Sequence, residues 1–132
     1  MKKIMIVDDS LMVRMNLKKM LVNNGYEVVA EACNGQEAID KYIEFQPELT
    51  TLDITMPVLD GISALKEIRK FDANACIIMI SALGQEGKII EALDCGARHY
   101  IQKPFKEHHA LSVIDSILDS VAEETLNVCN AG

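Results

Sequence analysis

Five side chains able to do chemistry follow directly on short apolar or β-branched runs. "KIMIV" at 3–7 is followed by Asp8 and Asp9, and "ELTTL" at 48–52 by Asp53. "CIIMI" at 76–80 leads into Ser81 and Ala82, and "HYIQ" at 99–102 into Lys103 and Pro104. Brought together, these residues would set three carboxylates beside one hydroxyl and one ammonium. Two carboxylates ~4 Å apart repel by ~4 kcal/mol at an effective dielectric of 20, so three cost on the order of 10 kcal/mol. A domain has only ~5–15 kcal/mol of stability in total. Relief must come from a raised pKa, from Lys103, or from a bound cation.

The donor set points to the kind of cation. Oxygen ligands with no His or Cys at the same strand ends suit Mg²⁺ or Mn²⁺ better than zinc. Beside such an ion Asp53 is a candidate nucleophile toward phosphorus, forming an acyl phosphate. The equatorial oxygens of the transferring group would then need the cation, the Lys103 ammonium, and the Ser81 hydroxyl with a neighbouring backbone N–H. Taken singly the motifs are ordinary: "DDS" reads as a turn and helix cap, "DITMPVLDG" as a loop with a helix start at Asp60. It is their recurrence at successive strand ends that argues for a site.

The elements that must position these residues alternate regularly. Strand-like runs occur at 3–7, 26–32, 48–52, 76–80 and 99–102. Between them lie helical patterns. The first starts after Ser10 as a cap and carries Val13, Leu17, Met20 and Leu21 before "NNG". Others run over 36–45, 60–71 and 85–95, the last ended by Gly96. A final stripe holds Leu111, Ile114, Ile117, Leu118 and Val121. Five successive βα units require a parallel sheet with helices on both faces, because each crossover is right-handed. Strands one, three and four are the most apolar and should be central. The expected fold is therefore α/β, a doubly wound (βα)5 of flavodoxin-like layout, strand order 2-1-3-4-5, with its site at the carboxyl ends of strands one and three.

Composition narrows the function classes. The chain has 132 residues, 49% hydrophobic and 25% charged, with a net charge of -7. That suits one globular domain over 1–121, with a short tail over 122–132. An acidic balance argues against direct nucleic acid binding, which depends on Lys and Arg displacing counterions. No apolar run approaches the ~18 residues of a membrane helix, so a cytoplasmic setting is expected. Cys33, Cys76, Cys95 and Cys129 show no CxxC spacing and read as small apolar residues. The seven Met read as packing, and His99, His108 and His109 as solvated side chains.

"VDDS" at 7–10, "NGQEA" at 34–38, "LDITMPVLDG" at 52–61, "ISA" at 80–82, "GA" at 96–97 and "KPF" at 103–105 together resemble the receiver domains of two-component response regulators, in particular the stand-alone chemotaxis type. The resemblance extends to about Val121. It implies that Asp53 is the phosphoacceptor, charged from a phosphohistidine on a sensor kinase. Asp9, Asp53 and the backbone carbonyl of Thr55 would ligate Mg²⁺, with Asp8 acting largely through water. Ser81 would swing toward the phosphate, Lys103 would bind it, and the bond from Lys103 to Pro104 would be cis. Tyr100 stands at the aromatic switch position that turns inward on activation.

The resemblance also implies how the signal leaves, through a face made of helix four, strand five and helix five. Here that face includes Ile89, Ile90, Leu93, Tyr100, Gln102 and the turns over 106–109, with at least one isoleucine belonging to the core. Expected partners are a chemotaxis kinase upstream and the flagellar motor switch, or another pathway protein, downstream. Thr55 and Leu83 are neither acids nor amides that would hold an attacking water, so slow self-dephosphorylation is expected. Strand three departs from the usual pattern: "TTL" must bury hydroxyls at Thr50 or Thr51, bonded to backbone. Competing readings are a phosphorelay intermediate or phosphate sink, a haloacid dehalogenase-type phosphatase, and a flavodoxin-type carrier. The phosphatase would need an acid where Thr55 stands. Asp8 and Asp9 would repel a flavin phosphate.

Overall fold

The computed structural model describes the backbone of residues 1–131 and the side chains of residues 1–124. Strands and helices alternate throughout: β1 Lys3–Val7, α1 Leu11–Asn23, β2 Glu27–Ala32, α2 Gly35–Phe45, β3 Leu49–Asp53, α3 Gly61–Phe71, β4 Ile77–Ser81, α4 Glu86–Asp94, β5 His99–Gln102 and α5 Glu107–Ala131. The five strands form one sheet in the order β2-β1-β3-β4-β5. All four pairings are parallel, so every carboxyl end lies on the same edge. The expected layout and its three central strands are what the chain adopts.

Alternation along the strands divides the interior in two. Met5 and Val7 of β1 join Leu52, Ile77 and Met79 beneath α2, α3 and α4. Ile4 and Ile6 face the other way, against Leu17 and Leu21 of α1 and Ala110, Ile114 and Leu118 of α5. Because both faces of the central strands are covered, β1 and β4 read as nearly unbroken apolar runs, while β3 buries Thr50 and Thr51 among them. A one-residue slip would exchange the two cores, so the register that sets Asp8 and Asp53 at the rim is strongly specified.

Local signals start the helices where the site needs them. The Ser10 hydroxyl accepts from the Val13 N–H, the Asn34 side chain from Glu37 N–H and the Asp60 carboxylate from Ser63 N–H, each satisfying an orphan donor of a first turn. Gly61 lets α3 begin directly against β3. Its N–H donates to the Ile54 carbonyl at 2.8 Å, and a Cβ there would fall 2.0 Å from the Asp53 carbonyl oxygen.

Two expectations from the sequence need revision or extension. Thr50 and Thr51 are fully buried, but their hydroxyls have no hydrogen-bond partner. The reason is that β3 is flanked on both sides by β1 and β4, so nearby peptide groups are spent in the ladders. The helix α5 continues past Val121 through the segment read as a tail, since "AEETLNVCNA" contains no Gly or Pro to stop it. Glu124 in that extension pairs with Arg98 at 3.0 Å. Cys33, Cys76 and Cys95 are free thiols, Cys76 pushed up to about 11 by burial; the side chain of Cys129 lies outside the described residues.

Candidate functional site

At the carboxyl edge β1 delivers Asp8 and Asp9, β3 delivers Asp53, β4 ends on Ser81, and the turn after β5 presents Lys103. Asp8 is 1% exposed and Asp53 6%, whereas Asp9 reaches solvent. One oxygen from each of the three carboxylates can be chosen so that all lie within 4.8 Å of one another. Asp8 is fixed from three directions: Ser10 N–H donates to Oδ1 at 2.9 Å, Arg14 Nη1 to the backbone carbonyl at 2.6 Å, and Lys103 Nζ to Oδ2 at 2.9 Å. Lys103 Nζ also lies 3.6 Å from Asp53 Oδ2. One ammonium thus serves two buried carboxylates, and Asp9 adds a third charge.

The imbalance registers on Asp53. Burial, followed by the charge of Asp8, pushes its carboxyl from 3.8 up to about 6, against the opposing pull of Lys103. For Lys103, burial pulls down, but the hydrogen bond to Asp8 and the charges of Asp53 and Asp8 outweigh it, leaving the ammonium more firmly protonated. A crowded set of hard oxygen donors with surplus negative charge fits a divalent cation that prefers carboxylate ligands. Thr55 stands two residues beyond Asp53, exposed, its backbone N–H favouring the charged form of the Asp53 carboxylate.

Ser81 is fully buried and its hydroxyl has no partner, so at the very rim of the sheet one donor is left unused. The bond from Lys103 to Pro104 is cis. Tyr100 is 39% exposed, its ring tilted against His99 with centroids 5.6 Å apart; it lies at the surface of β5. Ile89 is core, while Ile90 and Leu93 are exposed beside it. His99, His108 and His109 are all exposed.

Two residues absent from the sequence reading also shape the rim. Arg14 links the Asp8 carbonyl to Glu31, with Nε 3.4 Å from Glu31 Oε1; its position one turn into α1 was the available signal. Gln85 donates from Nε2 to the Thr55 hydroxyl at 2.7 Å and accepts from Ala82 N–H through Oε1 at 2.6 Å. No sequence signal separates this Gln from any other loop amide.

Residues 4–115 match the response regulator receiver domain, and the chain belongs to that family. Its relatives place it with two-component signalling proteins of the chemotaxis type. It is 52% identical over 117 residues to the chemotaxis protein CheY of Bacillus subtilis, covering 89% of this chain and 98% of that one. It is 47% identical to CheY of Thermotoga maritima over 88% of this chain and 97% of that relative. Among solved structures, a chain of the CheX-CheY-BeF3-Mg²⁺ complex from Borrelia burgdorferi superposes with a TM-score of 0.85 at 38% identity, over 88% of each chain. A CheY-like receiver domain protein from Methanospirillum hungatei gives 0.88 at 29% identity, over 94% of this chain and 98% of that one. Among the described residues no helix is long and apolar enough to cross a membrane.

Proposed function

We propose that this chain is a response regulator that accepts a phosphoryl group on Asp53 from a sensor histidine kinase and signals in chemotaxis through phosphorylation-dependent binding. The observation that carries this reading is the Asp53 carboxylate itself. It is buried at a strand end, 3.6 Å from the Lys103 ammonium, with oxygens of Asp8 and Asp9 within 4.8 Å.

In the transfer an Asp53 carboxylate oxygen attacks phosphorus, forming an O–P bond as the N–P bond to the donor imidazole breaks. The electron pair of the broken bond stays on the imidazole nitrogen, which takes up a proton. Asp9, Asp53 and the Thr55 carbonyl, with Asp8 through water, would hold Mg²⁺ or Mn²⁺, which would supply charge neutralisation to the carboxylates and the phosphoryl oxygens. Lys103 is already poised between Asp8 and Asp53 and can turn its ammonium to a phosphoryl oxygen without crossing the site. Ser81 has a hydroxyl proton with no present acceptor, so donating it to the phosphoryl group costs no existing bond. No acid or amide side chain stands at Thr55 or Leu83 to hold a hydrolytic water, which supports slow self-dephosphorylation.

Ser81 and Tyr100 are the switch: movement of Ser81 toward the phosphoryl group opens space that the surface ring of Tyr100 can enter. This biases the α4–β5–α5 face between two states. Partners are a chemotaxis kinase upstream and the flagellar motor switch, or another pathway protein, downstream, all in the cytoplasm. Incubation with acetyl phosphate and Mg²⁺ should add the mass of one phosphoryl group to the wild-type protein and none to Asp53→Asn. Absence of the gain in the wild-type protein would overturn the reading.

A further inference from the structure

Peptide groups alternate sides along β4. The Ile80 carbonyl accepts from Ile54 N–H on the β3 side, and the Ser81 carbonyl accepts from Lys103 N–H on the β5 side. The next donor, Ala82 N–H, therefore returns to the β3 side, where Asp53 and Thr55 stand. It is the first backbone donor beyond the sheet that an oxygen carried on Asp53 could meet. That donor is already taken. The Gln85 carboxamide accepts from it at 2.6 Å and donates at 2.7 Å to the hydroxyl of Thr55, two residues beyond Asp53. A single amide thus ties the loop after β3 to the loop after β4 across the mouth of the site.

Gln85 is also the residue at which α4 begins, and its side chain makes no capping bond to that helix. A Ser, Thr, Asp or Asn at this position would spend its side chain on the first-turn N–H groups. Here the side chain is directed away, to Ala82 and Thr55, and the loop makes room for this through Gly84 at φ +86. The start of α4 is therefore tied to the rim through the same two hydrogen bonds.

We propose that Gln85 is a positioning residue that closes the phosphoryl pocket of the resting protein. Its carboxamide holds the Ala82 N–H that an incoming phosphoryl oxygen needs, and must leave for the group to be fully bound. This inference rests on the reading of Asp53 as phosphoacceptor and adds a cost to it: phosphoryl binding exchanges the Gln85 bond at Ala82 for its own. It also supplies a direct link between occupancy of the site and α4, since release of the side chain frees the residue that starts that helix. Loss of the carboxamide should favour the occupied state, in contrast to loss of Lys103 or Ser81.

The test uses Gln85→Ala, a substitution at a half-buried loop position, with circular dichroism to show that the fold is kept. In the metal-free protein, amide hydrogen exchange at Ala82 read by NMR should accelerate in the variant by about threefold to tenfold, the worth of one net hydrogen bond. With Mg²⁺ present, beryllofluoride, a phosphoryl mimic, should bind Gln85→Ala tighter than wild type by a similar factor. An Ala82 exchange rate equal to wild type, or beryllofluoride affinity unchanged or weaker in the variant, overturns the role of Gln85. Failure of the wild-type protein to bind beryllofluoride at all would instead count against the Asp53 reading.

Discussion

The two ends of β1 handle charge in opposite ways. At the amino end Lys2 meets Glu48 at 3.2 Å and the Lys3 N–H donates to the same carboxylate; the charges balance and both side chains are about half exposed. At the carboxyl end Asp8 and Asp53 are buried, Asp9 stands beside them, and Lys103 is the one cation paired with their carboxylates among the described residues. An exposed, balanced pair contributes little, ~0–1 kcal/mol. A buried, unbalanced group holds free energy that a ligand can release. The same strand thus carries a surface tie at one end and a charged receptor at the other.

Removing the cation at each end gives the sharpest break of that comparison. Lys103→Met should cost about 2–3 kcal/mol in metal-free urea unfolding, because it leaves Asp8 and Asp53 without their counter-charge. Added Mg²⁺ should recover part of that loss. Equal losses for Lys103→Met and Lys2→Met would mean that the two ends do not differ.

Asp53→Asn comes next. The Asp53 carboxyl titrates at about 6 in the folded protein against 3.8 as its ordinary value. Between these values the folded state binds the extra proton, so wild-type stability without metal should fall as pH rises from about 4 to above 6. Asp53→Asn should remove that slope and be more stable than wild type at neutral pH by on the order of 2 kcal/mol. Calorimetry across this range in a chelator checks the sign; a steeper slope in the variant would contradict it.

Thr51→Val tests an orphan polar group that lies away from the rim. Its hydroxyl is buried and unpaired, so the apolar isostere should raise stability by about 1 kcal/mol with no effect on phosphoryl uptake. The unpaired hydroxyl of Ser81 should behave otherwise, since its proton has a use when phosphate arrives. Smallest of all, Lys2→Met should shift the urea midpoint by the equivalent of less than about 0.5 kcal/mol.

Much of this molecule could be read from residue order. The strands are short and β-branched, the helices between them carry a 3.6-residue stripe, and right-handed crossovers leave few ways to connect five such units. Asp8, Asp9, Asp53, Ser81 and Lys103 were legible because each follows a buried run whose parallel direction sends it to the same edge. The end of α5 was less so, because polar residues in a last helix look the same whether helical or frayed. Thr50 and Thr51 misled in one respect: a buried hydroxyl ordinarily implies a partner, and whether one is within reach depends on strands distant in sequence.

Sequence alone determined the element order, the sheet topology and the residue types at the rim, since these follow from local periodicity and chain connectivity. Tertiary structure alone decided the charge balance and the closing contacts. Only the folded chain puts Lys103 2.9 Å from Asp8, 95 residues away, and carries Gln85 to Thr55 across 30 residues. The physical reason is range: secondary structure is set by neighbours along the chain, but electrostatic and hydrogen-bond energies depend on distances of a few ångströms that packing fixes last.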